Sequence, residues 1–375
     1  MEKEGGNAML SVVEYRRALH RIPELDDRLP ETCAYVRSAL ASFELEAFSP
    51  IPSSVCAFLD AGKPETAAFR ADMDALPIEE ATGLAFSSGN TGAMHACGHD
   101  GNTAMALTLA EYAASHREAL PRNVLFLFQP SEETTGGAER LCETGILEQY
   151  HAARVFAMHL WPKLEQGKVY CRPGPIMARS NEVTVTLAGK SVHIGKAEEG
   201  IDALAAGAEY LRRAYAMAGT LPGEEPVVLR FGKMVSGTVR NAVSGKTVLE
   251  GSLRTFRDET QALCRQGLER IGREIASETG CGVEVYLNEG YPAVWNHEGL
   301  YETVRSGLGE AAPLPLEAPT LTAEDFSFYQ RRVPGLFFLL GVGGTPELHS
   351  PEFCFDDETV LPKGVEFLKR LLLLA

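Results

Sequence analysis

Hydrophobic residues recur at helical spacing along the first stretch of the chain, from Leu10 to His20, until Pro23 interrupts the pattern. A second helix is predicted over residues 31–43. Short β-rich runs bounded by turn residues come next, at 66–72, 123–129 and 155–161, with a helical stretch at 102–116 between the first two. Strands that alternate with helices of this length predict βαβ units and a mostly parallel sheet with helices on its faces.

The middle of the chain has a different order of elements. It predicts strand, helix, two strands, helix and strand, at residues 182–189, 201–218, 227–237, 246–256, 258–279 and 282–290. This β-α-β-β-α-β order is the ferredoxin-like α+β unit. Helix and strand patterns then return, at 296–308, 323–330, 336–343 and from Asp357 onward. We therefore expect an inserted domain at 179–290 and a discontinuous first domain made of 1–178 and 291–375.

The charge of the chain excludes some classes of partner. Its 375 residues include 51 Asp and Glu against 35 Lys and Arg, which gives a net charge of −16, and no basic run is present. Nucleic acids and anionic lipids are bound through clustered Lys and Arg, so neither is expected as a partner.

The eight cysteines form no C-x-x-C pair, and the acidic N-terminus is unlike a signal peptide. These features predict a cytoplasmic protein.

The densest group of metal-ligating residue types is MHACGHD at 94–100. Cys97 and His99 lie two positions apart, so both side chains can face one point if they sit on an extended or tightly turning loop. Their sulfur and nitrogen atoms suit zinc and other first-row divalent ions. A lone histidine or cysteine is more often structural, but three such residues within five positions, at the mouth of a predicted sheet, favour a ligand site.

A pair of carboxylates follows the predicted strand 123–129, in the segment SEETTGG. Glu132 and Glu133 repel each other unless a cation or a proton separates their roles. One of them can bind metal while its neighbour takes a proton from bound water. The alternative is an exposed acidic helix start, because glutamate is favourable in the first turn of a helix.

Two histidines also follow predicted strands, His159 in AMHLWP and His349 in LHSPEF. Because ligands bind at the carboxyl edge of such sheets, we expect five donors to meet there, enough for two metal ions that share a bridging ligand. The five are Cys97, His99, Glu133, His159 and His349. In RADMDALP, Asp72 and Asp74 could orient a ligand histidine or bridge the metals, or else cap a turn.

The inserted domain carries its own candidate, His193 in GKSVHIGKAEEGID. As a lid residue it could polarise a substrate carbonyl and stabilise the oxyanion, and the alternative is a solvated histidine at a helix entry. Asn241 in TVRNAV is a second uncharged donor on the same domain. The glycine-rich segment GVGGTP lacks the context of a nucleotide-binding loop and predicts a turn.

In these motifs, taken in order, the chain resembles the M20 metallopeptidase family, specifically its amidohydrolase branch of hippurate hydrolases, N-acyl amino acid deacylases, N-acetyldiaminopimelate deacetylases and auxin conjugate hydrolases. The resemblance runs from the first predicted helix to the last, and its most specific part is the set MHACGHD, SEE and LHSP. The other matching segments are LHRIPEL, RADMDALPIEE, FQPSEETTGGA, AMHLWP, GKSVHIGKAEEGID, RNAVSGKTVLEGSLRTF and AEDFSFY.

The resemblance implies that the five donors hold two divalent ions (Mn, Zn, Ni or Co) and that Glu132 is the general base. It implies a catalytic role for Asp72, with Asp74 as its partner, and a place for His193 near the substrate carbonyl. It also implies a metal-binding α/β catalytic domain with a ferredoxin-like lid, through which the chain would form a homodimer or homotetramer.

The activity expected from these features is hydrolysis of the amide bond of an N-acyl amino acid, hippurate-like or N-acetylated, by a metal-activated water. Arg240 or Asn241 is expected to pair with the carboxylate of this small-molecule substrate. A narrower alternative is an N-acetyldiaminopimelate deacetylase of lysine biosynthesis. Two alternatives of other kinds are Cys97 as a nucleophile activated by His95 or His99, and a non-catalytic module that binds an acylated amino acid.

The chain departs from the family pattern at two places. Asn102 stands where many relatives carry histidine, and the segment 196–199 carries lysine and glutamates where many relatives carry a proline-bearing segment. Neither is one of the five expected ligands, so we expect these departures to bear on substrate specificity and not on the chemistry.

Overall fold

The computed structural model describes residues 10–221 and 226–374, which form two compact units. Unit 1 comprises 10–176, Trp295–Ala318 and 325–374, and unit 2 comprises 177–221, 226–294 and Pro319–Glu324. The mixed α/β class, with one mostly parallel sheet and one separate antiparallel sheet, is confirmed. The domain bounds predicted above, 179–290 for the insert, stay a prediction. No helix in the described ranges is long and apolar enough to cross a membrane.

The strands are, in chain order, β1 (Ala47–Phe48), β2 (Val55–Leu59), β3 (Thr66–Asp72), β4 (Asn123–Gln129), β5 (Ala152–Pro162), β6 (Val169–Cys171), β7 (Gly174–Met177), β8 (Arg179–Ala188), β9 (Val228–Ser236), β10 (Lys246–Thr255), β11 (Gly282–Leu287), β12 (Val294–Asn296), β13 (Leu314–Pro315) and β14 (Gly335–Gly343). The chain passes from one unit to the other within β7 and within β12.

The helices are α1 (Val12–His20), α2 (Pro30–Ser42), α3 (His99–Ser115), α4 (Gly137–Glu143), α5 (Ile146–Gln149), α6 (Ala203–Ala218), α7 (Asp258–Thr279), α8 (Glu298–Leu308), α9 (Ser327–Gln330) and α10 (Asp357–Leu374). Short 3-10 turns lie at Arg117–Ala119, Ile194–Glu199 and Gly309–Ala311.

Unit 1 is built on an eight-stranded sheet of order β1-β2-β4-β3-β5-β14-β6-β13. Its central strands β4, β3, β5 and β14 run parallel, whereas β2 is antiparallel to β4 and β6 is antiparallel to β14. Every residue of β3 and β4 is buried, as expected for a parallel sheet covered on both faces. The carboxyl ends of the four central strands therefore meet at one edge.

The helix that carries part of the site, α3, is central to unit 1. It packs against α1, α10 and β3, and nearly all of its first thirteen residues are buried, polar ones among them. The neighbouring α1 begins with a capping box, in which the Ser11 side chain accepts the Glu14 backbone N–H and the Glu14 carboxylate accepts the Ser11 N–H.

Unit 2 has the topology that its element order predicts. Its antiparallel sheet has the order β11-β8-β10-β9, and α6 and α7 supply the helices of the β-α-β-β-α-β unit. Its core is formed by apolar side chains from the sheet and from both helices, Val185, Tyr210, Leu249, Leu268 and Ile271 among them.

The structure differs from the predicted elements at short pieces of chain. Helix α3 begins at His99, three residues before the predicted start at 102, so the loop expected for MHACGHD ends at Gly98. The predicted helix 323–330 is reduced to α9. Several short elements were not predicted, namely β1, β2, β6, β7, β12, β13, α4 and α5. Most have two to five residues, too few to show a hydrophobic period.

Candidate metal centre

The polar side chains of the candidate site follow the carboxyl ends of the central strands of unit 1. In the sheet register Asp72, the last residue of β3, pairs with Gln129, the last residue of β4. The loop after β4 then carries Glu132 and Glu133. On the neighbouring strand β5, His159 lies near the same end. The parallel register thus brings residues that are far apart in sequence to one edge.

Cys97 and His99 reach this edge through a left-handed turn. Gly98 has φ +82°, and a Cβ at this position would lie 2.9 Å from Leu160 Cδ1, so only glycine fits both the conformation and the space. Cys97 is the last side chain of the loop and His99 is the first residue of α3. The pair therefore converges through a tight turn, one of the two loop conformations considered above, and this turn leads directly into α3.

Two buried histidines of the candidate centre, His99 and His159, are held by backbone carbonyls. Nδ1 of His99 lies 2.8 Å from the carbonyl oxygen of Asp74, and Nδ1 of His159 lies 2.7 Å from that of Leu160. A carbonyl can only accept, so each Nδ1 carries the hydrogen and each Nε2 is the atom turned toward the site. This is the arrangement found for histidines that bind metal through Nε2.

The five expected donors do come together. Sγ of Cys97 lies 3.6 Å from Nε2 of His159, and Oε1 of Glu133 lies 3.8 Å from Nε2 of His99 and 3.3 Å from Nε2 of His349. They form two groups of three that share Cys97, one with His99 and His159 and one with Glu133 and His349, and in each group the ligand atoms lie within 4.8 Å of one another. A third group joins His99 with Glu132 and Glu133.

Two buried atoms in this cluster fit a metal ion. Nε2 of His99 and Oε1 of Glu133 have no hydrogen-bond partner in the described part of the chain, although each has an oppositely charged or polar neighbour within 4 Å. Leaving a buried polar atom unpaired costs about 1–3 kcal/mol. Nitrogen, sulfur and carboxylate donors with such orphaned atoms match the ligand preferences of zinc and other first-row divalent ions.

The electrostatics of the cluster favour positive charge at the same place. Burial by itself would lower the pKa of His99, but the carboxylates of Asp72, Asp74 and Glu133 outweigh burial and raise this pKa to about 10. Burial lowers the pKa of His159 to about 4, so that ring is neutral and can donate a lone pair. Burial and the nearby glutamates raise the pKa of Cys97 well above its usual value.

The two aspartates of RADMDALP have different surroundings. Asp74 accepts the backbone N–H groups of Glu132 and Glu133, both at 3.0 Å, and so holds the glutamate loop against β3. Asp72 accepts from the Arg70 guanidinium at 2.7 Å and from the Asn102 amide at 2.8 Å. Burial opposes ionisation of Asp72, but His99 and Arg70 lower its pKa. Both carboxylates are buried beside the cluster, and the catalytic role of Asp72 stays a prediction.

A buried charged network that the sequence reasoning missed lies next to Asp72. Arg70 donates to Gln129 Oε1 at 2.8 Å and to Asp325 Oδ1 at 2.7 Å, and Asp325 also accepts from the Gln129 amide at 2.7 Å and from the Ala138 N–H at 3.0 Å. The signal that could have revealed it is an arginine inside the otherwise apolar run TAAFRAD, together with the acidic AEDFSFY. This network joins β3, β4 and the start of α4 to the segment before α9.

A second missed network fixes the first turn of α3. Oδ2 of Asp100 accepts from Nε of Arg16 at 2.8 Å and lies 2.7 Å from Nδ1 of His20, which is the histidine of LHRIPEL. Arg16 also contacts Asp357 at 3.2 Å. Because Asp100 follows His99 directly, these contacts hold the beginning of the helix that carries one of the expected ligands.

The remaining candidates lie on unit 2. His193 is exposed and its Nδ1 accepts the backbone N–H of Gly195 at 3.1 Å. The N–H of Ile194 donates to the carbonyl of Asn241 at 2.9 Å, so the loop of His193 and the turn of Asn241 adjoin within this unit. Arg240 and Asn241 are both exposed. The roles expected for these three residues stay predictions.

Comparison with known families gives a match over most of the chain. The family model described as "Peptidase family M20/M25/M40" matches residues 68–374. This range begins in β3 and ends at the last residue of α10, so it contains all five expected ligands and the whole of unit 2.

Several curated relatives are similar over nearly the whole chain. An "Uncharacterized hydrolase" of Staphylococcus epidermidis is 34% identical over 382 aligned residues, covering 98% of this chain and 98% of the relative. An N-acetyldiaminopimelate deacetylase of Limosilactobacillus fermentum is 32% identical, with 95% of each chain covered. A solved structure from Bacillus subtilis, a dinuclear metal-binding peptidase of the M20 family, is 29% identical with a TM-score of 0.85, covering 96% of each chain.

Proposed function

The chain belongs to peptidase family M20/M25/M40, and on that premise we propose that it is a bimetallic amidohydrolase that cleaves the amide bond of N-acyl amino acids. The substrate class is hippurate-like or N-acetylated amino acids. The observation that supports this proposal most strongly is the convergence of Cys97, His99, Glu133, His159 and His349, of which Cys97, His99 and His159 are buried and His349 is exposed. It combines two ligand triads, orphaned ligand atoms and an adjacent second glutamate in one place.

In this proposal the five donors hold two divalent ions, and their identity among Mn, Zn, Ni and Co is left to experiment. Such ions would lower the pKa of a bound water toward about 7 and polarise the substrate carbonyl. Glu132 is proposed as the general base because it is buried and its carboxylate groups with His99 and Glu133. It would accept a proton at its carboxylate oxygen and later return that proton to the leaving amine.

The exposed residues of unit 2 are proposed to act on the substrate. His193 would donate to the carbonyl oxygen as negative charge develops there, and the uncharged amide of Asn241 or the guanidinium of Arg240 would pair with the carboxylate of the amino acid. We also propose a cytoplasmic enzyme that forms a homodimer or homotetramer through unit 2, as the family resemblance implies.

A narrower candidate is an N-acetyldiaminopimelate deacetylase. It is favoured by the names of relatives that are 31–33% identical over nearly the whole chain, including those of Limosilactobacillus fermentum and Pediococcus pentosaceus. A panel of N-acetyl, N-benzoyl and longer N-acyl amino acids, with N-acetyldiaminopimelate among them, separates the candidates when released amine is measured. Cleavage of N-acetyldiaminopimelate alone would select the narrower one.

The two alternatives of other kinds are less well supported. A nucleophilic Cys97 needs an accessible thiolate, but burial and two glutamates raise its pKa, and neither ring nitrogen of His95 has a hydrogen-bond partner among the described residues. A binding module that lost the chemistry would be expected to lack at least one ligand or the second glutamate. All of these residues are present.

The experiment that tests the proposal is Glu132→Gln. We expect the variant to keep its metal content, measured by elemental analysis, and to lose turnover by about 10²–10⁴-fold because no base accepts the proton. Glu139→Gln, at an exposed position in the first turn of α4, is the matched control and is expected to keep normal turnover. A near-normal rate for Glu132→Gln would refute the base assignment.

A further inference from the structure

Asn102 makes two buried hydrogen bonds that join different elements of the candidate centre. It lies in the first turns of α3 and is 3% exposed. Its side-chain Nδ2 donates to Oδ1 of Asp72 at 2.8 Å, at the end of β3. Its Oδ1 accepts the backbone N–H of Leu160 at 3.3 Å, in β5 and directly after His159. One amide therefore links three elements.

The orientation of this amide is determined by its partners. The carboxylate of Asp72 can only accept and the N–H of Leu160 can only donate, so the nitrogen must face Asp72 and the oxygen must face Leu160. A flipped amide would lose both bonds and place two oxygens together. The side chain thus makes both hydrogen bonds in only one orientation. A side chain that lacks either the donor or the acceptor cannot make both of them.

The hydrogen bond from Asn102 helps to fix the orientation of the Asp72 carboxylate relative to His99. Oδ2 of Asp72 accepts from Arg70 at 2.7 Å and lies 3.9 Å from Nε2 of His99, which is the orphaned ligand atom. Oδ1 is held by Asn102. With both oxygens fixed, the carboxylate cannot rotate away from His99. The carbonyl of Leu160, at the other end of the connection, is the group that holds Nδ1 of His159.

We infer that Asn102 is a positioning residue of the metal centre, whose amide fixes the Asp72 carboxylate and the Leu160 backbone so that His99 and His159 converge. This inference rests on the proposed metal-dependent function. Partners of this kind, which orient ligands without touching the metal, contribute about 10–100-fold to metal affinity. The readout is therefore the affinity of the full-length, metal-free protein for Mn²⁺, measured by titration calorimetry.

Two substitutions separate positioning from simple packing. Asn102→Leu keeps a side chain branched at Cγ but has neither donor nor acceptor, and we expect Mn²⁺ affinity to fall about 10–100-fold. Asn102→His restores one donor and one acceptor on a neutral ring, and a cavity of about 10 Å³ lined by Asn102, Met105 and Met158 gives room beside the site. We expect this variant to bind Mn²⁺ within a few-fold of the wild type.

A matched control is available at the opposite end of the sheet. Asn123 is also buried, at 8% exposed, and its amide accepts from the N–H of Ala61 at 2.8 Å and donates to the carbonyl of Lys63 at 2.7 Å. It begins β4, whereas the candidate centre follows the end of that strand, roughly 20 Å away at about 3.3 Å per residue. Asn123→Leu should lower the melting temperature and leave Mn²⁺ affinity unchanged.

The outcomes are distinguishable. If the wild type itself binds no divalent metal, the proposed function fails, and the inference fails with it. If the wild type binds Mn²⁺ and Asn102→Leu binds it equally well, only the inference fails. It also fails if Asn102→His folds with a wild-type melting temperature yet binds as weakly as Asn102→Leu, because the donor and acceptor would then not matter. Should Asn102→Leu not fold, the histidine variant alone decides.

Discussion

The two units of the molecule differ in where most of their charged networks lie. Unit 1 buries a connected set of them beside its strand ends, with Arg70, Asp72 and Asp325 each 4% exposed or less. The core of unit 2 is a cluster of apolar side chains, and its network of Arg213 with Glu209 and Glu278 lies on the helix surface. The candidate functional residues of unit 2 are exposed as well.

The difference shows what burial can and cannot reveal about function. Buried charges are costly unless they are paired, so a set of them at one sheet edge indicates that something other than stability maintains it. The connected set of such charges lies in unit 1. Burial gives no indication of a role for His193 or Asn241 in unit 2, because an exposed histidine or asparagine carries no desolvation cost. The comparison can be tested by perturbing one unit and observing both.

Metal removal should have the largest effect and should be confined to unit 1. Exhaustive dialysis against a chelator is expected to abolish amide hydrolysis, and added Mn²⁺ or Zn²⁺ should restore it. Saturation with metal at 100 times its dissociation constant stabilises the fold by about 2.7 kcal/mol, so the metal-free protein should melt earlier.

Hydrogen exchange shows where this effect lies. In the metal-free protein we expect faster exchange at the ends of β3 and β5 and unchanged exchange in β8 and β10. Equal changes in both units would contradict the confinement of the metal centre to unit 1.

The next effect is on the stability of the buried network. Asp325→Asn removes one of the two carboxylates that pair with Arg70, and this carboxylate also accepts from Gln129 and Ala138. We expect a loss of up to about 3–5 kcal/mol because the buried Arg70 then keeps only the Asp72 carboxylate. Thermal or chemical unfolding measures it. Glu274→Gln, which breaks the surface pair with Arg270 in unit 2, should cost less than about 1 kcal/mol.

A second substitution separates a lost charge pair from lost packing. In the Asp325→Asn background, Arg70→Met should cost less stability than it does in the wild type, because it then breaks only the pair with Asp72 and not the pair with Asp325. If the double variant is less stable by the sum of the two single losses, the residues are not coupled and the network is not the cause.

The sequence predicts well those helices and strands in which a regular hydrophobic pattern extends over many residues. The core strands of unit 1 and the whole order of unit 2 belong to this group. Helix α3 begins three residues before its predicted start because His99 and Asp100 are polar and the hydrophobic pattern starts only after them. Asp100 contacts Arg16 and His20 of α1, and these tertiary contacts cannot be recognised in the local sequence.

The residues of the candidate site also fall into a set that the sequence predicts and a set that it does not. The convergence of the five expected donors could be predicted because residue types that commonly bind metal follow or end strands of one sheet. The connections of Arg70, Asn102 and Asp325 could not be, because they join positions up to 255 residues apart and depend on side-chain register across strands. A sequence shows which residue types are present, but not which of them share a buried volume.

A smaller effect is expected from the exposed histidine of unit 2. His193→Ala should lower kcat by about 10²-fold, the usual cost of removing one oxyanion donor, and should leave the melting temperature and metal content unchanged because the side chain is exposed. His116→Ala, at an exposed position after α3, is the control. If His193→Ala keeps its kcat while KM alone rises, His193 binds substrate and does not stabilise the transition state.

The smallest expected effect is on the pH dependence of stability. It can be compared between two carboxyl groups whose pKa is lowered to the same value, Glu80 in unit 1 and Glu209 in unit 2. The pKa of Glu80 is lowered to about 2: burial opposes the shift, but hydrogen bonds from His20, Thr82 and the Ser88 N–H outweigh it. The pKa of Glu209 is also lowered to about 2, by hydrogen bonds from Arg212 and Arg213 on the surface. Both values lie below the usual 4.5, so each carboxylate stabilises the fold above about pH 4.5, and this contribution is lost as the pH falls toward 2.

Salt should distinguish the two carboxylates. Glu80→Gln is expected to lower stability by about 1–2 kcal/mol at pH 7 and by much less at pH 3, at both low and high ionic strength, because its side chain is only 5% exposed and its partners include neutral donors. Glu209→Gln should matter only at low salt, because a surface ion pair is screened within about 8–10 Å at 0.10–0.15 M salt. Melting curves of both variants in 0.02 and 0.5 M NaCl test this, and equal salt dependence would show that burial does not protect the charges of unit 1.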